Sequence, residues 1–387
     1  MNAHNHVRIA VASALLTGLV FGPAAGVAAA HPVGTAPAVA VADYKGPDVT
    51  ALEKALAGIP DGDISAALVR VGGEGSWTGT AGVRDLRTGA PALEHARFRA
   101  GSTTKVVTAA LVLQLVAEGQ VELDAPVTRY LPGLLPDSFT KPPTVRHLLT
   151  YTSGLKPGAN LGSTTEEMYA NRFLTRSPER VVATAVAKGP AFTPGERQVY
   201  QNIDYTVLGL LIEKVTDDSY EDQADLRIFR PLEMRHTGFP AGPDPRIHGP
   251  HHRAYADIGG RTTDVTEWNM SDRWAAGNMI STTADLERFL VALFSGRVVP
   301  QPLLNQMFTV PKAAEDGNGA AYGMALERFV HNGTEIWGKT GSRPGYHTVL
   351  AATRDLSRTV VYSVNAKSAR EDGFPLLARF ALPAFNR

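Results

Sequence analysis

The chain has 387 residues, of which 44% are hydrophobic and 20% charged, and its 38 basic side chains match its 38 acidic ones. That balance leaves no basic footprint for nucleic acid and no single-sign run for a membrane surface. Cysteine is absent, which excludes disulfides, cysteine-ligated zinc and thiol catalysis.

Residues 1–30 read as an export signal. Arg8 and the amino terminus supply positive charge, 9–20 is mostly apolar, and Ala28-Ala29-Ala30 offers a small-residue cleavage site. Gly18, Gly22, Pro23 and Gly26 interrupt the apolar run, which argues against an uncleaved anchor. The expectation is a secreted monomer, cut near Ala30, with an Ala-, Pro- and Val-rich spacer over 31–42 and no stable membrane association.

A helix is expected over 48–56, capped by Asp48. Strands follow at 64–71 and 76–83 around Gly72-Gly73, a hairpin signal. From 102 to about 235 the apolar spacing is helical, at 106–116, 145–149, 178–187 and 205–215, with Pro and Gly between. One more helix fits 283–294. The last third returns to strands, at 322–330, 335–338, 346–353 and 359–364, whose short turns demand antiparallel neighbours. A closing helix fits 374–380. The fold class is α/β of the α+β kind: an antiparallel sheet flanked by helices, from 43–97 and 250–387, with an all-helical domain, 98–249, inserted.

Candidate chemistry begins at Gly101-Ser102-Thr103-Thr104-Lys105. Serine and lysine three apart share one helix face, so a lysine can serve Ser102 as base without histidine. No Gly-x-Ser-x-Gly elbow occurs in the chain. Ser138/Lys141 and Ser153/Lys156 have the same spacing. Pro142 and Pro143 bar a helix at the first, and Ser153 to Gly158 is turn sequence. Alone, Ser102 also fits an ordinary helix cap. Tyr200-Gln201-Asn202 lies in a loop before a helix starting near Asp204, whereas Tyr169-Ala170-Asn171 lies within a helical stretch. Lys339-Thr340-Gly341-Ser342 ends a strand, unlike Arg87-Thr88-Gly89 and His236-Thr237-Gly238, which sit in loops. An edge strand there suits an extended substrate, with Gly341 allowing close approach. A buried Lys105 in cationic surroundings has a depressed pKa, and Tyr200 beside Lys105 and Lys339 has its phenolate favoured. Backbone amides of Ser102 and Ser342 are placed to form an oxyanion hole.

Taken together, these residues resemble the penicillin-recognising serine hydrolases, above all the class C β-lactamases and the soluble secreted D-alanyl-D-alanine carboxypeptidases. The resemblance extends to 117–127, 144–155, 200–216 and 276–282, and covers about 48–380 in order. It implies a β-lactamase/transpeptidase-like fold and an acyl-serine intermediate. In the roles it implies, Ser102 is nucleophile, Lys105 proton acceptor and Tyr200 general acid/base. Asn202, Lys339, Thr340, Gly341 and Ser342 bind a small peptide or β-lactam, and no metal or organic cofactor is used. The activity it implies first is D-alanyl-D-alanine carboxypeptidase, acylated by penicillin. β-Lactamase, esterase and D-amino-acid peptidase are alternatives, and a non-catalytic penicillin binder is the least favoured. Two departures stand out. Those carboxypeptidases often have histidine where Lys339 stands. Some also carry an arginine on the preceding strand for the terminal carboxylate, where this chain reads Leu326-Glu327-Arg328-Phe329. Glu327 would repel a carboxylate if it faced the site, leaving Lys339, Arg328 or Arg343 to hold one.

His248, His251 and His252 lack a carboxylate at ligand spacing and read as loop residues. Trp268 and Trp274 suit core packing, and Glu166 and Glu167 have no fixed relation to Ser102.

Overall fold

The structure, a computed structural model, describes residues 46–313, 321–371 and 373–386. The expected export signal and spacer lie outside the described residues. Asp48 opens the first helix, Val49–Leu56, by accepting the Ala51 amide at 3.0 Å. The Gly72-Gly73 hairpin then joins Ile64–Gly73 to Trp77–Asp85.

Both ends of the described chain build one eight-stranded antiparallel sheet. Its order is Ala90–Pro91, Trp77–Asp85, Ile64–Gly73, Arg358–Ala366, Tyr346–Ala352, Thr334–Arg343, Glu327–His331 and Ala321–Tyr322. Ile64–Gly73 pairs along Arg358–Ala366 and closes N-terminal sequence onto C-terminal sequence. The middle strands are buried throughout because both faces are covered, which explains their continuous apolar runs. Leu52, Leu376, Leu377 and Phe380 pack on one face. Phe289, Leu290 and the helical region pack on the other.

The helical region centres on Thr104–Ala117, apolar on nearly all sides and buried accordingly. Around it lie Val145–Leu149, Pro178–Val186 and Asn202–Thr216. Sheet and helical regions share one apolar core, in which Val107, Leu111 and Leu208 join Phe289 and Leu350.

Two expectations about the last third need correction. The strand expected at 322–330 is two, Ala321–Tyr322 and Glu327–His331, around a turn in which the Gly323 amide donates to Leu326 O at 2.8 Å. That turn is mostly apolar and tucks the Ala325 amide onto Leu149 O at 3.3 Å, so it lacks the usual turn signature. The strand expected at 335–338 runs from Thr334 to Arg343, so Lys339-Thr340-Gly341 lies inside it. The short hairpin Tyr255–Ile258 with Arg261–Asp264 was not legible beforehand. Among the described residues, no helix is long and apolar enough to cross a membrane.

Candidate active site

Ser102 sits in a single 3₁₀ turn, Gly101–Thr103, which leads into the helix Thr104–Ala117. The cap positions of that turn and helix fall to Ala100 and Thr103 and not to Ser102, so the ordinary cap reading fails. Lys105 is one turn on and wholly buried. Its Nζ reaches Ser102 Oγ at 3.1 Å, Asn202 Oδ1 at 2.7 Å and the Ala276 carbonyl at 2.6 Å. The two acceptors across from Ser102 hold the ammonium or amine in place. Asn202 is the first residue of the helix Asn202–Thr216, two residues earlier than expected.

Tyr200 lies in the loop before that helix. The Lys105 Nζ stands 5.1 Å from its ring centroid and the Lys339 Nζ 4.8 Å. Tyr151 and Tyr322 pack on the same ring, with centroids at 4.8 and 5.5 Å. The hydroxyl is buried and closes no hydrogen bond of full geometry, but it lies near enough to Lys105 and Ser102 for both to help lower its pKa. Lys339 also contacts Thr340, with Nζ 3.1 Å from its carbonyl oxygen and 3.4 Å from Oγ1.

The strand Thr334–Arg343 changes character half-way. Its pairing with Glu327–His331 ends at Gly338. Beyond that, among the described residues, Lys339 to Arg343 are paired on the Tyr346–Ala352 side only. The result is an inner strand that becomes an edge beside the serine, open to an added extended chain. Two glycines permit this. A Cβ on Gly341 would lie 2.1 Å from the Ala100 carbonyl oxygen, and one on Gly101 would lie 2.7 Å from the Ser342 amide nitrogen. Gly101 also needs its positive φ of 55°. Thr348 Oγ1 ties the two segments by donating to Ala100 O at 2.9 Å. Gly101, the residue before Ser102, is therefore brought against Ser342, which makes the Ser102 and Ser342 amides candidates for an oxyanion hole.

Burial lowers the Lys105 pKa to about 8, with Lys339 adding to the effect and Tyr200 opposing it. At pH 7 an ordinary lysine is neutral in roughly one molecule in 3,000, and one with a pKa near 8 in about one in ten. Burial pushes the Tyr200 hydroxyl up, but the charges of Lys105 and Lys339 outweigh it and bring its pKa down to about 8. Asp204, in the first turn of the same helix as Asn202, is a buried carboxyl near Lys105. Burial raises its pKa well above the usual range, against the Ser153 hydroxyl that donates to it at 2.5 Å. Burial therefore disfavours its charged form, and the charge of Lys105 opposes that shift. Ser102, a lysine able to accept its proton, and a tyrosine able to give one can together support acyl transfer through serine.

The other candidates scatter. Lys156 donates to Lys188 O and Ser153 serves Asp204. His248 bonds Asp244, His251 bonds Gly249 O, and His252 is buried against Leu93 and Asn365. Trp268 and Trp274 are buried. Glu167 caps its own helix and Glu166 accepts from the Gly259 amide. Arg343 is not free to hold a substrate carboxylate beside Lys339: it is buried and ion-paired with Asp272 at 3.2 Å. Arg328 is exposed on the neighbouring strand. The Ala276 carbonyl was missed, because a backbone acceptor leaves no residue-type signal.

The Beta-lactamase family model matches residues 34–381. A D-stereospecific amidohydrolase from a Streptomyces species is similar in structure, with a TM-score of 0.75 and 33% identity, over 87% of this chain and 99% of that one. Esterase EstB of Burkholderia gladioli is 32% identical over 205 residues, 49% of this chain and 50% of the esterase. Penicillin-binding protein 4* of Bacillus subtilis is 25% identical over 318 residues, 79% of this chain and 68% of that protein. The chain thus spans about half to two thirds of the length of these curated relatives. The sheet with its helical insertion has the β-lactamase/transpeptidase-like fold, and the chain belongs to the Beta-lactamase family of serine hydrolases.

Proposed function

We propose that this protein is an acyl-serine amide hydrolase acting on D-configured aminoacyl amides. The observation that carries the chemistry is the 3.1 Å contact between Lys105 Nζ and Ser102 Oγ, with Lys105 buried and its pKa lowered. Neutral Lys105 takes the Ser102 proton as Oγ bonds to the carbonyl carbon, and the oxyanion rests on the Ser102 and Ser342 amides. The carbon–nitrogen bond then breaks as Tyr200 delivers a proton to the departing amine. Water attacks the acyl-serine, its proton passes to the Lys105–Tyr200 pair, and the carboxylic acid leaves with Ser102 regenerated. Asn202 steadies Lys105, while Lys339, Thr340, Gly341 and Ser342 offer the substrate a strand edge.

Support for an amide without a terminal carboxylate comes from the Lys339 end of the cleft. Arg343 is committed to Asp272, and half-buried Glu327 lies near enough for Lys339 to oppose burial's upward push on its pKa. The similarity to the Streptomyces amidohydrolase supports D-configuration. A second reading, D-alanyl-D-alanine carboxypeptidase, is favoured by Lys339 itself, whose ammonium has no carboxylate within ion-pair distance among the described residues and is available to a peptide terminus. Export after cleavage near Ala30, monomeric action and cleavage without a cofactor belong to this proposal, on the sequence features of 1–30 and the family resemblance.

The test compares D-alaninamide, L-alaninamide and an acylated Lys-D-Ala-D-Ala peptide in parallel, reading ammonia or D-alanine release. Preference for D-alaninamide supports the first reading. Preference for the peptide, with D-alanine released, selects the second. Turnover of none, with wild-type fold intact, refutes both.

A further inference from the structure

Around the end of the strand Thr334–Arg343 lies a cluster of guanidinium groups that the chemistry above leaves unused. Asp272 is buried and divides its oxygens between two arginines, Arg343 at 3.2 Å and Arg273 at 3.5 Å. Arg370 comes from the turn after the strand Arg358–Ala366, and its Nη1 lies 2.9 Å from Met168 Sδ. Among the described residues no carboxylate pairs with Arg370. Asp272 thus pairs with two guanidinium groups and acts on Arg370 only at longer range. Arg343 adds a second sign of a missing acceptor, since its buried Nε has no partner.

The cluster adjoins the nucleophile. A Cβ on Gly277 would lie 3.3 Å from Arg273 Cβ and 3.7 Å from the Gly101 carbonyl carbon, so Arg273 stands beside the serine turn. Ser342 Oγ donates to Ala369 O, which brings the Arg370 turn onto the open half of the strand. Lys339 and Ser342 bracket Gly341, which packs on Ala100, so they flank the serine along the same edge. Tyr200, the proton donor to the departing amine, lies against Lys339. The leaving group therefore occupies the Lys339 side, and the acyl portion runs toward the arginines. Burial lowers the pKa of Arg343 to about 10; Arg370 is an exposed residue whose guanidinium is partly desolvated and whose pKa is also lowered, and Arg273 pushes both further down. That mutual repulsion is relieved by an added anion.

We propose that Arg273 and Arg370, backed by Arg343, form an acyl-side subsite that binds a carboxylate carried by the substrate. The proposal rests on the acyl-serine amidase reading and names its preferred substrate class: amides whose acyl portion ends in an anionic group. Arginine forks suit carboxylates because two donors meet two oxygens.

Binding to the full-length Ser102→Ala protein tests the subsite without turnover. The probes are N-succinyl-D-alaninamide and its N-succinamoyl counterpart, which match in shape and differ in charge, and calorimetry at low salt reads their dissociation constants. The succinyl compound is expected to bind about tenfold tighter, with the advantage falling to less than twofold when Arg370→Gln and Arg273→Gln are added together. Equal constants for the two compounds would overturn the subsite. So would an advantage that survives both arginine substitutions. Failure of the amidase reading shows separately, as absence of D-alaninamide turnover by the protein with Ser102 intact.

Discussion

Replacing Tyr200 by phenylalanine separates the hydroxyl from everything else that residue does. The ring keeps its neighbours: Lys105 at 5.1 Å, Lys339 at 4.8 Å and Tyr151 at 4.8 Å. Only a buried oxygen that closes no full hydrogen bond is lost. Its polar neighbours, Lys105 and Ser102, keep other partners or solvent, so removal of the hydroxyl should change the stability of the fold by no more than about 1 kcal/mol. Catalysis should suffer instead. Loss of a positioned proton donor slows a reaction by about a hundred- to ten-thousand-fold, roughly 3–5.5 kcal/mol in the barrier. The pH profile carries a second signature. Tyr200 holds the Lys105 pKa up, against the lowering effect of burial. Its loss should drop that pKa further and move the rising acid limb of kcat/KM below about pH 8. The assay is amide turnover across pH 6–10, paired with thermal denaturation. A Tyr200→Phe protein with kcat/KM within threefold of the parent would refute the assigned role. Lost activity accompanied by a fall of many degrees in Tm would show a structural role instead.

Lys105→Arg keeps a cation that cannot deprotonate, so turnover should fall at least a thousandfold and the acid limb near pH 8 should vanish from the residual kcat/KM profile. The sign follows from the base being the neutral form, which grows as pH rises through the pKa of about 8. Gly341→Ala places a methyl 2.1 Å from the Ala100 carbonyl oxygen, a backbone atom that cannot swing away; initial rates should drop at least a hundredfold, and parental rates would show that the strand need not abut the serine turn. Asp272→Ala strands the Arg343 guanidinium, 7% exposed, without its counter-ion, at a cost of about 3–5 kcal/mol. Denaturant unfolding reads that loss, and a change below about 1 kcal/mol would contradict it.

How much of this was legible beforehand depended on the range of each interaction. Ser102 and Lys105 are one helical turn apart, so their meeting follows from local geometry. Gly341 was legible because a missing side chain inside strand sequence signals close backbone approach. Tyr200 and Lys339 lie far apart along the chain. Their residue types suggested chemistry, but only their place in a familiar order of motifs joined them to Ser102. Arg343 shows the limit. From sequence it remained a candidate for a substrate carboxylate, because nothing local marks Asp272, 71 residues earlier, as its partner. Thr340, Gly341 and Ser342 are turn-type residues, so local preference ends the strand containing Lys339 too early. Pairing with Tyr346–Ala352 overrides that local preference.

The central claim is that Ser102 is the oxygen that becomes acylated. Intact and peptide mass spectrometry after exposure to a fluorophosphonate tests it directly, since that reagent traps activated serines whatever the natural acyl group. The expected result is one adduct per chain, mapped to the peptide containing Ser102, absent from Ser102→Ala and formed far more slowly by Lys105→Ala. An adduct on any other serine, or undiminished labelling of Ser102→Ala, would contradict the account.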